Sequence, residues 1–186
     1  KIVTATAVYV GKNGNLLQES PENCRVLKIN NPILTDLDLL KIKRMNRPGF
    51  QVAVVPIIYY KSTPMRRVME RLFVAVDKAY REGAHILILS DRGVDENHVA
   101  LLAVSAVHKH LVRTKKCAAL SIILESGEPR EVHDFAALLG YGACAVNPYL
   151  AHAAIGQLVE DGLLDKDYYA SVDDYDNAVL QGIVKI

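Results

Sequence analysis

No sign of charge predominates in this sequence of 186 residues. It has 22 lysine and arginine residues against 21 aspartate and glutamate residues, and its formal net charge at pH 7 is +1. Such a balance gives no field that attracts nucleic acid or an anionic membrane, so we expect neither as a partner. The chain also lacks a run of about 18 apolar residues that could span a bilayer, and its opening lacks the apolar core of a signal peptide. These absences predict a cytoplasmic protein.

Cysteine is scarce. The three cysteines, Cys24, Cys117 and Cys144, are odd in number and far apart in the chain. This spacing excludes a disulfide framework and does not provide the closely spaced ligands of an iron-sulfur cluster. Because free cysteine behaves as a small hydrophobic residue, we expect three buried free thiols.

Motifs for metal or hydrolase chemistry are also missing. No H-E-x-x-H pattern occurs, and His108 and His110 are two residues apart on a predicted helix, so they project in different directions. Ser126, His133 and Asp134 are the residue types of a catalytic triad, but the sequence around the serine is not a nucleophile elbow. We therefore predict neither a metal site nor a hydrolase triad.

What the sequence does contain is a repeated pattern. Hydrophobic residues make up 51% of the chain, which is enough for one substantial core. From Gln51 onward, a β-branched apolar run is followed by a loop, a helix with apolar residues three and four apart, and a glycine. The predicted strands cover residues 52–60, 86–89, 119–124 and 143–146. Four βα units in a row predict an α/β fold with a parallel sheet.

Helix signals support this interpretation. Ser62 and Thr63 before Pro64 predict a cap and a first-turn proline, and the helix that follows should end at Gly83. We predict the second helix from about residue 100 to residue 112, and the third up to Gly140. Asn147 and Pro148 then predict a cap and a first-turn proline for the fourth, which Gly162 ends.

The same pattern divides the chain into three segments. Residues 1–46, with a short predicted helix at 36–45, form an entry segment from a preceding domain. Residues 47–164 form the central α/β domain, and residues 165–186 form a helical tail whose pattern continues without a capping signal, so we expect it to lead into a neighbouring domain. Four βα units make half of a TIM-type barrel, which leaves edge strands unpaired unless something covers them. The alternative is a self-contained doubly wound sheet.

Polar residues follow the predicted strands. The group after the second strand is Ser90, Asp91 and Arg92, the group after the third includes Glu125, Ser126, Glu128 and Arg130, and Asn147 and Tyr149 follow the fourth. In parallel α/β folds this edge of the sheet is where ligands bind. Alternatively, these residues serve the fold: Asp91 and Arg92 bond each other or loop amides, and Ser126 and Glu128 cap the next helix.

Several strings of residues resemble the central domain of glutamate synthases in order and spacing. They are Gly14-Asn15-Leu16-Leu17, Asn31-Pro32-Ile33-Leu34, Ile86-Leu87-Ile88-Leu89-Ser90-Asp91-Arg92, Glu125-Ser126-Gly127-Glu128 and Asn147-Pro148-Tyr149-Leu150-Ala151. The resemblance covers nearly the whole chain. It implies a domain that is a rudimentary relative of an FMN-binding barrel, in agreement with half of a TIM-type barrel.

The resemblance also implies a function. The complete enzyme hydrolyses glutamine in an amidotransferase domain, passes ammonia through an internal tunnel, and uses FMN and an iron-sulfur cluster to make glutamate from 2-oxoglutarate. We expect this segment to link the amidotransferase and FMN-binding domains, with no catalytic, cofactor or metal residues of its own. The side chains expected to line an interface or the tunnel are Ser90, Asp91, Arg92, Glu125, Glu128, Arg130, Asn147 and Tyr149.

Two other functions stay open from the sequence. One is a free-standing barrel-like enzyme that acts on a small acidic substrate, with Asp91 or Glu125 as acid or base and Arg92 or Arg130 as a carboxylate clamp. The other is a pure interaction module. Formation of a homo-oligomer by the segment alone also stays open.

Overall fold

The computed structural model describes residues 5–12, 14, 17–45, 47–95, 98–100 and 103–186. The strands are β1 (Val8–Val10), β2 (Leu27–Ile29), β3 (Val52–Pro56), β4 (Ile58–Tyr60), β5 (Ile86–Ser90), β6 (His98–Ala100), β7 (Ser121–Glu125) and β8 (Ala145–Asn147). The helices are α1 (Asp36–Lys43), α2 (Met65–Arg81), α3 (Val104–Arg113), α4 (Val132–Gly140), α5 (Tyr149–Glu160) and α6 (Tyr168–Lys185). A short 3-10 helix covers Pro21–Cys24.

Four strands form one parallel sheet in the order β3-β5-β7-β8. Each strand of a βα unit therefore lies beside the strand of the next unit. A doubly wound sheet reverses its strand order at a switch point, and this sheet does not, so the doubly wound alternative is wrong. The predicted α/β fold of repeated βα units with a parallel sheet is confirmed. Its consecutive order is that of neighbouring strands in a TIM-type barrel.

One face of the sheet packs against helices. Side chains alternate between the two faces of a strand, and Leu87, Leu89 and Leu124 lie on this side. They meet the apolar stripes of three helices, whose buried residues are Val68, Leu72 and Val76 of α2, Val107 and Leu111 of α3, and Phe135 and Leu138 of α4. The predicted amphipathic pattern of these helices therefore forms the main core.

The opposite face of the sheet is covered by the first part of the chain. Ile86, Ile88 and Ile123 point to this side and pack in a second core. Its other members include Leu39 and Ile42 of α1, with Val10 and partly buried Leu27 of the antiparallel pair β1–β2. Since helices cover one face and this segment covers the other, every residue of β5 and β7 is buried, as expected for parallel strands with two covered faces.

The two edges of the sheet differ. At β8, the amide of Leu34 donates to the carbonyl of Val146 and the amide of Val146 donates to the carbonyl of Pro32, each at 2.8 Å. These bonds add a parallel bridge to the edge of the sheet. At the other edge, among the described residues, β3 pairs only with β5, and its Val54 is 49% exposed. The unpaired edge expected of half a barrel is thus found at β3, and β8 is covered by the chain itself.

Two predicted elements differ from the structure for one shared reason. The strand predicted at residues 52–60 is two strands, because β3 ends at Pro56 and β4 pairs antiparallel with β6 instead of continuing in the main sheet. Pairing in β6 in turn excludes residues 98–100 from the second helix, so α3 begins at Val104 and not near residue 100. A long-range pairing of two short strands cannot be recognised from local periodicity.

The predicted helix caps also need correction. Pro64 and Pro148 stand at the cap positions of α2 and α5 and not in the first turns, and neither helix has a side-chain cap bond. Asn147 is the last residue of β8, and its amide group donates to the carbonyl of Leu34 at 2.9 Å. Its side chain thus joins two segments instead of capping a helix.

The cysteines are free but not uniformly buried. Cys24 is exposed, and Cys117 and Cys144 are partly buried. The prediction of free thiols is confirmed, and the prediction that all three are buried is wrong. Burial raises the pKa of the Cys144 thiol, which keeps it protonated at neutral pH.

The helical tail is confirmed as α6, which packs against α4 and α5. Its contact with α5 includes a buried pair: Nε2 of His152 lies 2.9 Å from Oδ1 of Asp176. The two side chains are 0% and 6% exposed. None of the helices that the structure describes is both long and apolar enough to cross a membrane.

The buried pair between α5 and α6 gives a prediction about stability. Replacing Asp176 by alanine should lower the free energy of unfolding by about 1–3 kcal/mol, because it leaves a buried histidine nitrogen without its partner. Urea denaturation followed by circular dichroism measures the change. Asp173→Ala is the matched control, because Asp173 is exposed on the same helix, and it should change stability by less than about 0.5 kcal/mol. Equal effects of the two substitutions would contradict the assigned role.

Candidate functional site

The polar residues at the carboxyl ends of the strands form a buried row. The registers place Ser90 of β5 beside Glu125 of β7, and Glu125 beside Asn147 of β8. Each lies two residues after an apolar residue of the second core, so all three side chains point to the face of the sheet that α1 covers. Ser90, Glu125 and Asn147 are buried.

Glu125 is the centre of this row and is only 1% exposed. Nζ of Lys43 lies 2.7 Å from Oε2 and 2.9 Å from Oε1 of its carboxylate. Nε of Arg92 donates to Oε1 at 2.5 Å, and the hydroxyl of Ser90 donates to Oε2 at 2.6 Å. Two cations and one hydroxyl therefore neutralise a carboxylate that the sheet has removed from water.

The electrostatics of Glu125 follow from these contacts. Burial by itself raises the pKa of a carboxyl group, because it disfavours the charged form. Here the hydrogen bonds from Lys43, Ser90 and Arg92 outweigh burial, and the pKa of Glu125 lies below its ordinary value. Burial likewise opposes ionisation of Arg92, but its contacts with Glu125 raise the pKa of the guanidinium. The pair is therefore fully charged at neutral pH.

Helix α1 supplies the other side of the row. Oδ1 of Asp36 accepts a bond from the Asn147 amide at 2.8 Å and one from Nη2 of Arg92 at 3.4 Å. We name the six residues the strand-end cluster: Asp36, Lys43, Ser90, Arg92, Glu125 and Asn147. The carbonyl oxygen of the Asn147 side chain is buried and has no hydrogen-bond partner among the described residues.

Sequence reasoning missed Asp36 and Lys43. The signal for them is their spacing of seven residues, which places them on one side of α1 together with buried Leu39. A charged residue on the buried side of a helix requires a partner. That requirement could have pointed to Lys43, but nothing in the local sequence indicates Glu125 as the partner 82 residues away.

A second group surrounds Asp91, which is 2% exposed. Its carboxylate accepts bonds from the Ser126 hydroxyl, from the Gly127 amide at 3.1 and 3.2 Å, and from the Tyr149 hydroxyl. Burial, together with the bond to Asp91, raises the pKa of Tyr149 to about 12. We name Asp91, Ser126, Gly127 and Tyr149 the Asp91 group.

The two groups are in contact through Arg92. Its guanidinium carbon lies 4.1 Å above the ring of Tyr149, in the geometry of a cation–π interaction. Asp91 and Arg92 are thus adjacent in sequence but serve different groups, and the alternative that they bond each other is wrong. The alternative that Asp91 bonds a loop amide is confirmed by the Gly127 amide.

Six of the eight predicted side chains therefore come together, and two do not. Glu128 and Arg130 are exposed. The main chain of Arg130 does make a contact across the fold, since its carbonyl accepts a bond from the Tyr175 hydroxyl at 2.9 Å. Nor do Ser126 and Glu128 cap α4, since Glu131 and Asp134 form its capping box.

A cleft of about 480 Å³ opens beside the Asp91 group, between α3 and α4. Asp91 and Ser126 line it together with apolar residues such as Ile57, Leu124 and Leu138. No group of three or more His, Cys, Asp or Glu side chains within the described ranges is arranged to hold a metal ion.

The arrangement limits what these residues can do chemically. Glu125 is ionised and receives three donors, so it does not carry a proton to give to a substrate near neutral pH. Nε of Arg92 is directed at Glu125, which leaves it poorly placed to clamp a substrate carboxylate. The strand-end cluster has the properties of a structural junction between α1 and the sheet.

Residues 1–186 match the family model described as glutamate synthase central domain. The chain is 39% identical over 189 residues to the large chain of the NADPH glutamate synthase of Bacillus subtilis, with 100% of this chain and 12% of that protein covered.

Two further relatives are enzymes with other named electron donors. The NADH glutamate synthase of Schizosaccharomyces pombe is 35% identical over 195 residues, with 100% of this chain and 9% of that protein covered. The ferredoxin-dependent glutamate synthase 2 of Synechocystis is 33% identical over 204 residues, with 100% and 13% covered. The chain thus spans about a tenth of the length of the curated relatives that it matches.

The strand-end cluster gives a second prediction about stability. Glu125→Gln should lower the free energy of unfolding by about 2–3 kcal/mol, because it leaves Lys43 and Arg92 without the carboxylate that pairs with them. The loss should be smaller than for a fully buried pair, since the side chains of Lys43 and Arg92 are 27% and 46% exposed. Glu70→Gln breaks an exposed ion pair with Arg66 and should cost less than about 0.5 kcal/mol. Urea denaturation of both variants measures the difference, and a loss no larger at Glu125 would contradict the central role of this carboxylate.

A third prediction concerns acid. Because the pKa of Glu125 in the folded protein lies below its ordinary value of 4.5, its ionised form contributes stability that is complete above that value. The contribution is lost as the pH falls through the lowered pKa. The stability difference between the wild type and Glu125→Gln should therefore be constant above about pH 5 and shrink below it. Urea denaturation at a series of pH values tests this, and a difference that does not change with pH would contradict the assigned ionisation.

Proposed function

The chain belongs to the glutamate synthase central domain family, and from this membership we propose that it is a rigid linking segment of a glutamate synthase. In this role it connects a glutamine amidotransferase domain to an FMN-binding synthase domain and helps to hold the path of ammonia between them. The complete enzyme, with FMN and an iron-sulfur cluster, then makes glutamate from glutamine and 2-oxoglutarate. The segment itself contributes position and not chemistry.

The observation that carries this proposal is the strand-end cluster. It joins the first helix to the middle of the sheet through a buried carboxylate with two cations, Lys43 and Arg92. A junction of this kind has strict geometry, because each charge that loses its partner is left in a poorly solvated site. Together with the β1–β2 pair that packs on the same face, this junction would give a preceding domain a fixed attachment to the sheet.

The contact of the last helix supports the same role. α6 is held to α5 by the buried pair of His152 and Asp176, and to the loop before α4 by the bond from Tyr175 to the carbonyl of Arg130. A segment that follows α6 would thus continue from a helix that is fixed on the fold. A linker between two active sites needs this property, since a misplacement of about 1 Å can reduce a rate by a factor of about a hundred.

The strand-end loops are our candidates for contact with the adjoining domains. Glu128 and Arg130 have exposed side chains on the loop after β7, next to the Asp91 group and the cleft. Their charges are available to a neighbouring surface, whereas those of Glu125 and Arg92 are used within the fold. We therefore assign the interface to Glu128 and Arg130, and the support of their loop to Asp91, Ser126 and Tyr149.

The test uses Arg130→Ala in a complete glutamate synthase that contains this segment. The expected result is uncoupling, in which more glutamine is hydrolysed for each 2-oxoglutarate converted, because the exposed guanidinium no longer contacts the neighbouring domain. The measurement is the ratio of the two rates under identical conditions. Arg113→Ala is the matched control, since Arg113 is also exposed but stands at the C-terminal end of α3, away from the strand-end loops.

The outcomes separate the proposal from its alternatives. An unchanged ratio in Arg130→Ala, with the variant folded, would contradict the assigned interface. An equal change in both arginine variants would indicate a general charge effect and would also contradict it. Thermal unfolding of each variant supplies the check on folding.

A further inference from the structure

Asp91 differs from Glu125 in how its charge is compensated. Both carboxylates are almost fully buried, at 2% and 1% exposure. Glu125 is paired with Lys43 and Arg92, whereas Asp91 receives bonds from the Ser126 hydroxyl, the Gly127 amide and the Tyr149 hydroxyl, all of them neutral. A buried carboxylate without a cation is unusual, because burial of a charge is costly unless an opposite charge lies near it.

The cleft beside Asp91 has the composition of a site for a cation. Its volume of about 480 Å³ lies within the roughly 300–1,000 Å³ of small-molecule sites. Among the described residues, its lining includes three carboxylates, Asp91, Glu128 and Asp134, and no lysine, arginine or histidine. Electrostatic attraction would therefore favour a cation over a neutral molecule or an anion.

The walls of the cleft specify the rest of the ligand. Ile57, Leu124 and Leu138 are buried apolar residues that line it, so a ligand with an apolar body gains from removal of its surface from water. The N-terminus of α3 also lines the cleft at Val104 and carries a partial positive charge. This charge disfavours a cation at that end and directs it towards Asp91.

We propose that the cleft between α3 and α4 binds a small primary ammonium compound with an apolar body, and that Asp91 is the residue that receives the ammonium group. An ammonium group has three donors and no acceptor, and a carboxylate has about four acceptor positions, so the three donors that Asp91 already receives leave room for one N–H of the ligand. The site lies within this one segment, and although it shares Asp91, Ser126 and Glu128 with the loop assigned to the interface above, its binding test does not depend on the linking role. It assigns a ligand to the Asp91 group and not to the strand-end cluster.

The test is a titration of the chain with cyclohexylmethylammonium chloride, followed by the amide signals of the cleft residues in a two-dimensional NMR spectrum. We expect saturable shifts at Ser105, Gly127 and Leu138. Cyclohexylmethanol and cyclohexanecarboxylate, which have the same ring without the positive charge, should produce much weaker shifts. Ammonium chloride, which has the charge without the ring, should also bind more weakly.

Two variants locate the site. Asp91→Asn should reduce the affinity about tenfold or more, because it removes the charged partner of the ammonium group. Ala137→Leu leaves Asp91 in place but fills the cleft from the exposed side of α4, and it should also reduce binding. Ala154→Leu is the matched control at an exposed position of α5 outside the cleft, and it should bind as the wild type does.

Each possible result decides the proposal. Saturable binding of the ammonium compound that both cleft variants weaken, with Ala154→Leu unaffected, would support it. It would be overturned by the absence of saturable shifts, by equal binding of the alcohol or of ammonium chloride, or by unchanged affinity in a folded Asp91→Asn or in Ala137→Leu. If Asp91→Asn fails to fold, the results with Ala137→Leu and with the three comparison compounds still decide whether the proposed site exists.

Discussion

The structure depends on the neutralisation of one carboxylate. Glu125 ends the central strand β7, with strands on both sides and α1 covering its face of the sheet, so water cannot stabilise its charge. Lys43 and Arg92 provide the opposite charges, and they come from a helix and a loop that are far apart in the chain. The requirement to pair this charge therefore adds to the apolar contacts of α1 in fixing how the first part of the chain lies on the sheet.

The first part of the chain also covers the sheet face that half a barrel would leave open. In a complete barrel, the inner face of the sheet is filled by side chains from the strands opposite. Here four strands have no opposite strands among the described residues, and the pair β1–β2 with α1 fills that face instead. The main chain of Pro32 and Leu34 also covers the edge of β8. Half of a barrel can thus keep both faces of its sheet buried.

The polar residues at the strand ends divide by the kind of partner they have. In the strand-end cluster, charges are paired with charges, which gives a junction of fixed geometry. In the Asp91 group, a carboxylate is held by neutral donors beside a cleft, and the ligand site proposed above rests on this difference. Arg92 connects the two groups by stacking on Tyr149.

Local sequence determined most of the helices and strands of this protein, because periodicity and turn residues act over a few neighbouring residues. The elements predicted from it include the amphipathic helix α2, the apolar strands β5 and β7, and the tail helix α6. The position of Glu125 directly after the third apolar run also indicated that it would lie at the carboxyl edge of the sheet. What only the tertiary structure decided are pairings between distant residues, such as β4 with β6, Lys43 with Glu125, and His152 with Asp176. These pairings depend on which surfaces the packed sheet and helices bring together, and no local pattern encodes that.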